Sequence, residues 1–103
     1  MSDVRKADPS RAIIAQIGAA LSPSKTTLIK AKTVDWASAT FTGARHEFEF
    51  FLGGGDAIEN AQALVQNIAN VDFTIGGHIV ADIAATFREG HYLFVEALSV
   101  EAV

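Results

Sequence analysis

The feature that most constrains this chain is internal similarity: residues 12–52 can be laid over residues 58–98 at a constant offset of 46 without a gap. The identical pairs include Ala15/Ala61, Gln16/Gln62, Val34/Val80, Phe41/Phe87, Phe48/Phe94 and Leu52/Leu98, and most fall where a helix or strand needs an apolar or β-prone residue. Two similar units, about 8–52 and 56–101, are expected to fold alike and to share one core. A length of 103 residues supports a single core and not two, so 1–103 reads as one domain.

Each unit opens with a helix. Asp8-Pro9 supplies an N-cap acceptor and a proline at N1, and Ile14, Ile17 and Leu21 recur at helical spacing before Ser22-Pro23-Ser24 ends the run. In the second unit Gly53-Gly54-Gly55 precedes Asp56, read as N-cap, with Glu59 three residues on as in a capping box. Ile58, Ala61, Val65 and Ile68 form its apolar stripe.

A β-rich stretch with a turn follows each helix, Thr42-Gly43-Ala44-Arg45 in the first unit and Arg88-Glu89-Gly90-His91 in the second. Strands are expected near 32–42, 46–52, 78–88 and 91–101, and residues 71–77 as a loop. The order α-β-β-α-β-β predicts an α+β two-layer sandwich with both helices on one side of a four-stranded antiparallel sheet. With the later strand of each hairpin in the centre, the topology is a circularly permuted ferredoxin-like arrangement.

Strand alternation then assigns faces. His46, Phe48, Phe50 and Leu52, with their repeat equivalents Tyr92, Phe94, Glu96 and Leu98, form the richer apolar set and are expected beneath the helices. Leu93, Val95 and Ala97 then join Phe51 and Trp36 on the open face. A strand apolar on both sides implies that something covers the second side, and the partner expected there is another copy of the chain, giving a homodimer.

Chemical motifs are sparse. There is no cysteine for a disulfide, thiolate or cluster ligand. Gly53-Gly54-Gly55-Asp56 fits neither dinucleotide nor Walker spacing, so no cofactor is implied. His46, His78 and His91 are expected at separated strand ends, without metal-site convergence. The weak catalytic candidates are Glu96, expected as a carboxylate among apolar neighbours, and His46 and Arg45 at a hairpin exit. They define the alternative to a non-catalytic domain: a small enzyme or small-molecule-binding protein with a pocket centred on Glu96. A net charge of −4 without a basic patch argues against nucleic acid. The charged N-terminus and the lack of a long apolar run argue for a cytoplasmic location and against a membrane.

Overall fold

Asp8 opens the first helix as its position requires: its carboxylate accepts from the backbone N–H groups of Ser10 at 3.0 Å and Arg11 at 3.5 Å, with Pro9 in the first turn. The Ser10 hydroxyl also donates to it, and that hydrogen bond leads in holding the Asp8 carboxyl below its usual range. The computed structural model describes residues 8–102. The charged segment 1–7, part of the argument about location, lies outside the described residues.

The elements are α1 (Pro9–Ala20), β1 (Thr26–Ala37), β2 (Thr42–Leu52), α2 (Gly55–Asn67), β3 (His78–Arg88) and β4 (Tyr92–Glu101). The four strands form one antiparallel sheet in the order β1-β2-β4-β3, so the later strand of each hairpin is central. Ile13 and Ile17 of α1, and Ala57, Ala61 and Leu64 of α2, share one buried cluster with Phe48, Phe50, Leu52, Leu93, Val95 and Ala97. Both helices therefore cover the same face. The Asn60 side chain donates to the Leu21 carbonyl at the end of α1, and Gln16 exchanges two hydrogen bonds with the Thr74 backbone, which ties the 71–77 loop to α1.

Three expectations need correcting. The first hairpin turns at residues 38–41 and not at Thr42–Arg45: the Ser38 N–H donates to the Phe41 carbonyl, and the Ser38 hydroxyl accepts from the N–H groups of Thr40 and Phe41. The helices start 46 residues apart, at Pro9 and Gly55, but the hairpin loops start 51 apart, at Ser38 and Glu89, so the gapless offset is not kept along the chain. Asp56 is not the N-cap of α2. Gly54 holds that position without a side-chain bond, and Asp56 sits in the first turn, 3.8 Å from the Lys25 ammonium. A carboxylate there still complements the helix dipole.

The third correction concerns the faces. Residues directly opposite on neighbouring strands point to the same side. The β2–β4 ladder pairs His46 with Ala97, Phe48 with Val95 and Phe50 with Leu93. An even offset would put Phe48 and Phe94 on one side; this register puts them on opposite sides. Leu93 and Val95, expected on the open face, are 0% exposed beneath the helices, and Ala97 is buried beside them. Tyr92, Phe94, Glu96 and Leu98 take the open face instead.

Both edge strands carry a register shift, between Leu28 and Lys30 in β1 and between Val80 and Asp82 in β3. The second shift moves Val80 to the helix side, opposite Ser99, and leaves Asp82, Ala84 and Thr86 on the open one. The second hairpin turns through Glu89 and Gly90, both at positive φ (52° and 74°), the pattern of a type I′ turn. Gly43 serves the sheet and not a turn. A Cβ at this position would collide with the Ser99 backbone carbonyl and press on the Trp36 ring. Gly43→Ala is expected to lower stability by about 1–3 kcal/mol through overpacking, read as a lower midpoint in urea unfolding; an unchanged midpoint would contradict the close approach.

Candidate functional site

The ladders place five rows of side chains on the open face, running from β1 across β2 and β4 to β3. They are Thr27–Phe51–Tyr92–Arg88, Lys30–Glu49–Phe94–Thr86, Lys32–Glu47–Glu96–Ala84, Val34–Arg45–Leu98–Asp82 and Trp36–Gly43–Val100–Ile79. One end is aromatic. There Phe51 packs edge-on to Tyr92 with ring centroids 5.6 Å apart and stacks on His91 at 6.4 Å, while the Arg88 guanidinium lies 4.0 Å over the Phe94 ring. The other end is aliphatic apart from Trp36, which lies against the gap left by Gly43; its indole N–H is buried without a partner among the described residues.

A charged belt separates the two ends. Glu47 and Glu96 stand directly opposite each other on the central strands, with Lys32 beyond Glu47 and Arg45 and Asp82 in the next row. Arg45, His46, Glu47, Asp82, Ala84, Glu96, Ala97 and Leu98 line a shallow trough of about 210 Å³. Like charges directly opposite in a ladder oppose each other. Lys32 and Arg45 are the cations nearest in the ladder to offset them.

Glu96 is therefore exposed on the open face and not enclosed by Phe48 and Phe50. Arg45 shares its face. His46 lines the same trough, but alternation turns its ring to the helix side, away from the Arg45 and Glu96 side chains. A hollow between helix and sheet does exist, about 320 Å³ between α1 and β1, but Ile14, Ala15, Gly18, Leu28 and Phe50 line it and no ionisable side chain among the described residues does. Among the described residues no three His, Asp or Glu side chains converge on a metal position.

Sequence reasoning missed what His46 does. Its ring is 1% exposed, stacks on Phe48 at 5.7 Å, and bridges Thr33 of β1 and Ser99 of β4, with Nδ1 3.1 Å from the Thr33 hydroxyl and Nε2 2.8 Å from the Ser99 hydroxyl. Hydroxyls both donate and accept, so a neutral ring is satisfied in either tautomer. The pairing resembles a serine–histidine dyad in distance alone, because Ser99 is 0% exposed and no substrate carbonyl can reach it. Only the tertiary pairing of β1, β2 and β4 reveals this relay; a serine 53 residues away carries no local signal.

Burial pushes the His46 pKa below 6.5, partly opposed by the carboxylates of Asp8 and Asp35 and reinforced by His78. Below pH 6.5 the unfolded chain takes up a proton that the folded ring resists. The unfolded state then binds more protons, and stability falls with pH until the folded ring also titrates. His46→Phe is expected to be less stable at pH 8 by about 1–3 kcal/mol, because two hydroxyls lose their partner. The gap to wild type should narrow between pH 7.5 and 5.5. Urea titrations at both pH values test this, and a constant gap would contradict it.

Comparison with protein-family models, characterised proteins and solved structures gives no match. The functional reading rests on the geometry. No helix among the described residues is long and apolar enough to cross a membrane.

Proposed function

We propose that this chain is a non-catalytic domain that associates with a second copy of itself through the open face of its sheet, on a circularly permuted ferredoxin-like scaffold. The observation that carries the reading is that β4 is apolar on both sides. Leu93, Val95 and Ala97 meet the helices, while Tyr92, Phe94, Leu98 and Val100 face away from them. An antiparallel strand with one solvated side alternates apolar with polar, and Glu96 is the lone charge in the outward set. The expectation of self-association is retained with a different residue set: Trp36 and Phe51 remain, and Tyr92, Phe94, Leu98 and Val100 replace the three buried residues.

The sheet edges are poorer candidates. Register shifts interrupt both edge strands, and Lys30 and Lys32 stand on β1, two devices that discourage strand addition. The acidic belt across the face also disfavours a nucleic acid partner.

The trough beside Glu96 favours a second reading, in which Glu47, Glu96 and Asp82 bind a small cationic molecule. Native mass spectrometry separates the two. Self-association predicts a dimer without added mass, and a reproducible adduct on a monomer would favour the trough. Leu98→Lys places a charge beside Asp82 in the ladder and is expected to leave a folded monomer; a variant that remains dimeric would refute this face as the interface.

A further inference from the structure

From the arrangement of the open face we infer that its occupant, a second copy of the chain, docks about a twofold axis running across the strands through the Lys32–Glu47–Glu96–Ala84 row. This inference rests on self-association through the open face and adds its geometry. A face packing on its own copy in the aligned mode of stacked sheets has two in-plane axes to choose between, one near the strand direction and one near its perpendicular. They bring different residues together, and the ladder registers decide between them.

An axis along the strands keeps each row over itself with the strand order reversed. Glu49 then lies on the partner's Phe94 and Arg45 on the partner's Leu98, which buries two charges against apolar side chains on each side. An axis across the strands keeps the strand order and reverses the rows. On the central strands Glu49 now meets the partner's Arg45, Phe94 the partner's Leu98 and Tyr92 the partner's Val100; on the edge strands Lys30 meets the partner's Val34 and Arg88 the partner's Ile79, where long cationic side chains can reach the solvated rim. Phe51 lies over the partner's Gly43 and so comes against the partner's Trp36 ring that packs there. The aromatic end of one copy covers the aliphatic end of the other, twice by symmetry.

The dimensions suit this arrangement. Five rows about 7 Å apart and four strands about 4.8 Å apart give a footprint of roughly 600 Å² before side-chain relief is counted. A standard interface buries about 800 Å² per partner. Packed sheets rotate by about 30° relative to one another, which moves a residue one row from the axis by about 3–4 Å. That is within side-chain reach, so the Glu49–Arg45 and Phe94–Leu98 contacts persist while corner contacts shift. The axial row brings Glu47 and Glu96 near their own copies, which weakens the dimer and gives the exposed carboxylates a role as a brake on association.

The test is a charge exchange measured by analytical ultracentrifugation on the full chain. Arg45 and Glu49 make no side-chain hydrogen bond or ion pair among the described residues, so the swaps leave the fold intact, and circular dichroism verifies this. Arg45→Glu and Glu49→Arg are each expected to weaken dimerisation by about tenfold or more, and the double variant to return within a few-fold of wild type. If Leu98→Lys gives a monomer but the double variant binds no better than the weaker single one, the axis is overturned and self-association through this face stands. If Leu98→Lys stays dimeric, or wild type is monomeric throughout, both fall together.

Discussion

The pairing of β2 with β4 is the constraint on which the rest of this structure depends. Phe48 stands opposite Val95, and that one register assigns every side chain of the two central strands to a face. Because strand side chains alternate with period two, a slip by one residue would turn one strand over relative to the other, burying either Glu47 and Glu49 or Glu96 beneath the helices and exposing Phe48 and Phe50 or Val95 in exchange. Burying unpaired carboxylates costs several kcal/mol each, so this register is strongly specified. Cross-strand contact then sets the helix positions: Ile13, Ile17, Ala57 and Ala61 pack where the ladder has gathered its apolar residues.

Local chemistry made parts of this legible in the sequence. Asp8-Pro9 marks the start of α1 because the cap is a contact within three residues, and Gly90 marks a hairpin because the backbone there has positive φ. The element order, the antiparallel sheet and the central place of β2 and β4 follow from hydrophobic periodicity. Features that depend on distant partners were not legible. Gly43 looks like a turn residue, yet it is small because the Ser99 carbonyl of β4 approaches it. The register shifts at Ile29 and Ala81 have no sequence signature, and the Val80 shift reverses the side that simple alternation assigns. Alternation places His46 on the helix side, but nothing in the sequence shows that Thr33 and Ser99 meet its ring there.

The same register organises the candidate site. It turns the His46 ring away from the Arg45 and Glu96 side chains and leaves a buried polar relay on one side and a patterned surface on the other. That surface is neither uniformly apolar nor uniformly charged. In the proposed dimer a second copy turned end over end sets the aromatic end of each face on the opposite end of the other, while the two acidic belts meet and oppose association. With both edge strands interrupted, the face is the larger surface on which such a partner can seat.

The most direct test of the account is a side-chain NOE measurement on the methyl groups of Val95 and the ring of Phe94. Val95 is predicted to show contacts to Phe48 and to core residues of the helices, and Phe94 to show none to the helices while contacting Arg88. Contacts from Phe94 to Ile13 or Ala61 would reverse the faces and remove the basis of the proposed interface.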